Sequence, residues 1–329
     1  MSDPTASPEI LARIRSIPQL AHFPELDQFI ENYPVGMNDF VAMSYRMLVA
    51  EDQREDISAL EAAVYAATLG SFLIDDVMDC DTTKPDFGMD VGRRVNLGCT
   101  LLVAGSLMIA QSGYPAGILT QLQEEYAQWL LHAAVGQEIE ARSAAHGEAT
   151  ADLEARYWEA VGAKSSQQVG CMLRFGAVMA GRPDQAEGLF RIGRILGEMA
   201  QILDDIGDGV GPQRSPDWES PGKNLLMVFC HHPSNPQREE FVELFPKTVS
   251  DAAAHRRCRE IMISSGAVGY AIYQYFDRYR QARALAEAIE GYDRRPLKEL
   301  VSQQIKKIAK ILHRMGIRLP EDIAREAGL

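Results

Sequence analysis

No stretch of this 329-residue chain stays apolar over the roughly 18 residues that a membrane-spanning helix needs. Met1–Thr5 carry neither a basic nor an apolar region, so no secretory signal is read there and a cytoplasmic location is expected. Cysteine is sparse. Cys80, Cys99, Cys171, Cys230 and Cys258 are scattered, odd in number and never spaced as CxxC, which points to free thiols rather than a disulfide framework. Cys230-His231-His232 has no second Cys/His cluster to complete a zinc site. Positive charge is also short. A formal net charge of -13 argues against nucleic acid or an anionic membrane as the main partner. The glycine-rich phosphate loops of nucleotide-binding folds and the nucleophile elbow of hydrolases are absent. So are alternating runs of β-branched residues.

What is present reads as helix. Residues 57–78 are alanine-rich and periodic, and 96–112 resemble them, with Gly98, Ala104, Gly105 and Ser106 small enough to let helices approach closely. Further helical periodicity runs over 117–145, 152–180, 186–208, 237–248, 250–288 and 295–314. Turn signals separate these stretches at Gly113-Tyr114-Pro115, Gly181-Arg182-Pro183-Asp184, Pro212 to Gly222 and His232 to Pro236. No composition shift marks a linker. The expectation is an all-α single-domain helical bundle, with residues 1–56 a helical segment packing on a core of 57–329.

Two aspartate clusters of one design stand out. Asp75-Asp76-Val77-Met78-Asp79 follows an apolar run, and about 130 residues later Asp204-Asp205-Ile206-Gly207-Asp208 follows another. Each places its first and last carboxylates at i and i+4, on one helix face. Like charges at that spacing repel unless a cation lies between them. Two such clusters facing each other would form an oxygen-only cage suited to Mg²⁺, a hard ion that prefers carboxylates, water and phosphate oxygens.

Several segments in this order resemble the trans-isoprenyl diphosphate synthases, whose all-helical fold is shared with class I terpene synthases. Leu73 to Asp79 is similar to the family's first aspartate-rich motif, Gly136-Gln137-Glu138-Ile139-Glu140 to its GQxx(D/E) helix, and Lys164-Ser165 to its Lys-Thr pair. Gln201 to Asp208 resembles the second motif with its preceding glutamine, and Gly222-Lys223-Asn224 one of the segments that close the site. The likeness runs from about residue 57 to near 310. It implies a Mg²⁺-dependent enzyme, with about three ions, that ionises an allylic diphosphate. By that resemblance Asp75, Asp79 and Asp204 hold the metals, while Asp76, Asp205 and Asp208 support them or act through water. Lys164, Lys223 and Gln201 would meet the diphosphate, and a homodimer is expected. A dry prenyl tunnel would run past Gly70, Ser71, Phe72 and Gln137. Bulky residues close its floor in the family; here Gly70 and Ser71 are small, which implies a chain of about C15 to C20 or longer.

The chain also departs from the pattern. Members that elongate chains bind isopentenyl diphosphate through an N-terminal Gly-Lys-Arg segment and an arginine pair shortly after the first motif. Between residues 33 and 50 the only basic residue is Arg46, and a lone Lys84 follows the first motif. Arg93-Arg94 come later. The expected reading is prenyl transfer to an acceptor that is not isopentenyl diphosphate. A terpene cyclase, a chain-elongating synthase and a non-catalytic subunit of a heteromeric synthase stay open as alternatives. A cyclase would need aromatic faces such as Phe72, Tyr65, Trp129, Trp158 or Phe175 to stabilise its cation.

Overall fold

The computed structural model describes residues 7–32, 39–81, 84–145, 153–211, 214–314, 321 and 325. The expected all-α class holds: among the described residues there is no strand. Residues 33–38, with most of the N-terminal departure, and Thr82-Thr83 lie outside the described set. The helices are α1 (Pro8–Arg15), α2 (Leu26–Asn32), α3 (Asp39–Leu48), α4 (Ser58–Met78), α5 (Val91–Ala110), α6 (Ala116–Ala145) and α7 (Leu153–Val161). They continue as α8 (Gln167–Met179), α9 (Pro183–Val210), α10 (Leu225–His231), α11 (Arg238–Leu244), α12 (Ala252–Ser264), α13 (Ala267–Ala288) and α14 (Arg295–Arg314). None is long and apolar enough to cross a membrane.

The chain divides into two compact units. The first comprises Met1–Leu130, Cys171–Glu187 and Glu290–Asp293. Its centre is α4, buried continuously from Ala62 to Gly70, as expected of a helix apolar all round. α4 packs along α5 and against α1. At the α4–α5 crossing Gly70 meets Gly98: a Cβ on Gly70 would stand 2.7 Å from the Gly98 carbonyl oxygen. Only paired glycines allow that approach.

The second unit comprises Leu131–Gly170, Gly188–Ile289 and Arg294–Leu329. Here the apolar run Leu225 to Phe229 folds as α10, which packs on α7, α11, α12 and α13. The periodic stretch 250–288 is not one helix. It breaks between α12 and α13 at Gly266, whose φ of 96° is left-handed and ends a right-handed helix. The stretch 152–180 is continuous but not uniform. Between α7 and α8, Gly162–Ser166 form a π-helical turn, a feature common at functional sites.

Candidate functional site

In the first unit, Asp75 and Asp76 occupy the last turn of α4 and Asp79 is its C-cap, with its N–H donating to the Asp75 carbonyl at 2.8 Å. The Asp81 N–H folds back to the Asp76 carbonyl at 2.9 Å. Four carboxylates thus gather where α4 ends. The unsatisfied carbonyls of a helix C-terminus already make that end negative, so these acids stand where a helix disfavours them. A bound cation reverses that penalty. Upstream, Ser71 and Phe72 are half-buried. Gly70 faces α5, so its small size serves the helix crossing.

The second cluster, in the second unit, has the same placement: Asp204, Asp205 and Asp208 fall in the last two turns of α9. Their environments differ sharply. Asp204 and Asp208 are exposed, one turn apart, whereas Asp205 is 0% exposed. Asp205 Oδ2 accepts from the Tyr157 hydroxyl at 2.7 Å and from the Leu225 N–H at 2.7 Å, and Oδ1 accepts from Gln201 Nε2 at 2.9 Å. Burial and the Asp217 carboxylate push its pKa well up, against the pull of those hydrogen bonds. Asp205 is therefore a tie between α9, α7 and the start of α10, while Asp204 and Asp208 are exposed on the same helix.

Lys164 sits in the π turn, and its ammonium bridges to Glu140 of α6 at 2.5 Å. The next residue, Ser165, donates its hydroxyl to Gln201 Oε1 at 2.9 Å. Both ends of the Gln201 amide thus have protein partners. Gly197 makes this contact between α9 and the π turn feasible, since a Cβ there would fall 2.3 Å from the Ser165 carbonyl oxygen. Lys223 ends a short 3-10 turn and is half-buried, and Asn224 Nδ2 donates to the Asp205 carbonyl at 3.0 Å. The second unit so assembles the GQEIE helix, the Lys-Ser turn, the second aspartate cluster and the Gly-Lys segment. Gln137 is half-buried on α6.

Two residues of this assembly escaped sequence reasoning. Tyr157 is buried with its hydroxyl on Asp205. Asp217 accepts from Asn224 Nδ2 at 3.2 Å. Its pKa is pushed up to about 7 by burial, with Asp208 and Glu140 adding to the rise and Asn224 and Lys223 opposing it. Periodicity gives no hint of either role. Lys307 of α14 lies within electrostatic range of Asp204, which props up a pKa that burial lowers.

The donor set suits a hard divalent cation. Among the described residues no three Asp, Glu, His or Cys side chains enclose an ion by themselves. The aromatic residues have other surroundings: Tyr65, Trp129 and Phe175 are core, and Trp158 lies under the Arg278 guanidinium at 3.9 Å.

The sequence profile of the polyprenyl synthetases matches residues 38–262, well over half of the chain. The chain belongs to the polyprenyl synthetase family. It is thereby a prenyltransferase-type enzyme of the isoprenyl diphosphate synthase superfamily. A curated family member, nonaprenyl diphosphate synthase of Mycobacterium tuberculosis (strain ATCC 25618 / H37Rv), is 26% identical over 76% of each chain. Solved structures share the fold. A geranylgeranyl pyrophosphate synthase aligns with a TM-score of 0.79 at 17% identity, covering 94% of this chain and 96% of its own. A polyprenyl synthase from Caulobacter crescentus CB15, complexed with calcium and isoprenyl diphosphate, gives 0.72 at 20% identity over 92% and 98%. A decaprenyl diphosphate synthase from Rhodobacter capsulatus gives 0.76 at 17% over 91% and 96%.

Proposed function

We propose that this polyprenyl synthetase ionises an allylic isoprenyl diphosphate, of about C15–C20, and transfers the prenyl group to an acceptor other than isopentenyl diphosphate. The observation that carries the first half is the outward pair Asp204 and Asp208 at the negative end of α9, with Lys164 and Lys223 on adjoining segments of the same unit. Mg²⁺ ions held by Asp75 and Asp79, and a further one held by Asp204, would each supply Lewis-acid neutralisation to a departing diphosphate.

The protein's own groups do the rest. Lys164 and Lys223 meet diphosphate oxygens as point charges. Glu140 holds Lys164 in place through their ion pair. Asp205, Gln201 and Tyr157 fix α9 against the π turn and the Lys223 segment, so the charged groups need not reorganise as the C–O bond breaks. Ser71 and Phe72 line the start of the prenyl path.

The second half rests on basic groups. Where an arginine pair would bind a second diphosphate there is the single Lys84. Arg93, the nearest arginine after it, is engaged by Glu25 at 2.7 Å. A second anionic substrate buried without cationic partners would be costly. Chain elongation with isopentenyl diphosphate is the second reading, favoured by the nonaprenyl diphosphate synthase relative.

The deciding experiment is incubation with Mg²⁺ and geranyl, farnesyl or geranylgeranyl diphosphate, each with and without isopentenyl diphosphate. Diphosphate release is followed and products are identified by mass spectrometry. Slow release, with hydrolysis product alone in both arms, supports an acceptor yet to be supplied. A longer diphosphate formed only with isopentenyl diphosphate overturns the acceptor assignment and establishes elongation. Hydrocarbon from the allylic substrate alone would make the enzyme a cyclase.

A further inference from the structure

The second unit holds a cationic corner at the end of α9, formed by side chains other than the aspartates. Of the eight buried side-chain polar atoms without a hydrogen-bond partner among the described residues, four lie on two segments: Ser215 Oγ and Ser220 Oγ on the stretch after α9, and His255 Nε2 and Arg259 Nε on α12. Trp218 joins the segments. Its ring lies 4.3 Å from the His255 ring, and its indole N–H donates to the Asp208 carbonyl at 3.2 Å. Arg259 Nη2 reaches back to the Val210 carbonyl, the last residue of α9, at 2.6 Å. His255 is only 8% exposed, so its unpaired Nε2 is a buried group that a protein of this packing normally satisfies.

Charge concentrates at the same place. His255 and Arg259 share a face of α12 at i and i+4, with Arg256 beside them. Arg259, Arg214 and Arg256 all lie close enough to depress the His255 pKa, after the larger effect of burial. Arg257, their neighbour, has carboxylate partners in Glu240 and Glu260. Among the described residues Arg214, Arg256 and Arg259 form no ion pair. In a chain of net charge -13, uncompensated guanidinium groups beside buried, unpartnered hydroxyl and imidazole groups are out of keeping with a solvated surface.

We propose that this corner, formed by Arg214, Ser215, His255, Arg256 and Arg259, is a binding site for a phosphate-class anion, inorganic phosphate or diphosphate. Forked guanidinium donors, a hydroxyl and an imidazole are groups that suit phosphate oxygens. Since Trp218 and Arg259 hold the end of α9 and the segment leading to Lys223, an anion there braces the stretch that carries Asp217 and Lys223. The site stands independently of which prenyl acceptor the enzyme uses.

The test is isothermal titration of inorganic phosphate and of inorganic diphosphate into the full chain in EDTA, which removes metal-dependent binding at the aspartates. The variants are R214A/R256A, both at exposed positions, and K223A as a control at the other site. One saturable anion per chain is expected, weakened by about tenfold or more in R214A/R256A and unchanged in K223A. Preference for diphosphate would identify it as the ligand; equal binding would leave phosphate itself as the recognised group. Absence of binding by both anions overturns the proposal, as does equal affinity in R214A/R256A or loss in K223A.

Discussion

Gln201 donates from its amide nitrogen to Oδ1 of Asp205, one turn further along α9, while its amide oxygen accepts the hydroxyl of Ser165. That single side chain ties the second aspartate cluster to the π turn that carries Lys164. It also separates two neighbouring aspartates into different tasks, because the carboxylate it holds is the one turned inward.

Asp204 and Asp205 should therefore fail in opposite ways. Asp205→Ala strands the Tyr157 hydroxyl, the Leu225 N–H and the Gln201 amide in the interior, and should destabilise the fold by about 3 kcal/mol or more in urea unfolding. Asp204→Asn, at an exposed position, should leave the unfolding midpoint nearly unchanged and lower turnover by about 100-fold or more. Equal stability losses in the two variants would refute the division.

Metal dependence should be shared by the two clusters. Asp75→Asn is expected to abolish diphosphate release with the helical circular dichroism preserved, and EDTA to do the same in the wild type until Mg²⁺ is restored. Unimpaired release in either case removes the metal assignment.

Adjacent residues of α4 should likewise part company. Gly70→Ala brings a methyl against the Gly98 carbonyl and should cost about 1–3 kcal/mol of stability despite alanine's better helix propensity, with no change in the prenyl chain accepted. Ser71→Phe should shorten the accepted chain at little cost in stability. A competition assay across allylic diphosphates reads the second effect, and an identical substrate profile would remove Ser71 from the tunnel.

Glu61, near the start of α4, offers a test by pH. Burial raises its pKa from 4.5 to about 7, with Arg46 opposing. A carboxyl held above its unfolded value binds its proton more tightly in the folded state. Its ionisation therefore destabilises the fold increasingly from about pH 4.5 to 7, and by a constant amount above that. Glu61→Gln should raise the melting temperature over wild type at pH 8 and leave it unchanged near pH 4. A constant difference across that range would show that Glu61 is not perturbed.

Much of this was legible in the sequence because it depends on local spacing. Helical periodicity, turn residues and the i, i+4 carboxylates need only neighbours along the chain. The π turn at Gly162–Ser166 was not legible, since helical periodicity passes through it unbroken. Nor was the break at Gly266, a single glycine in a long periodic stretch.

The sequence by itself determined the helical class, the order of the family motifs and the presence of two acidic helix ends that call for a cation. Tertiary structure decided which member of the second motif faces outward. Whether Asp204 or Asp205 meets a ligand depends on what packs against α9. The groups that hold Asp205 come from Tyr157, 48 residues before it, and Leu225, 20 residues after it. The same holds for Gly70 and Ser71, whose positions differ by about 100° around α4, so that only the position of α5 settles which one packs against it. Hydrophobic periodicity fixes the phase of a helix relative to the core, but partners distant in sequence fix what each polar residue on that helix does.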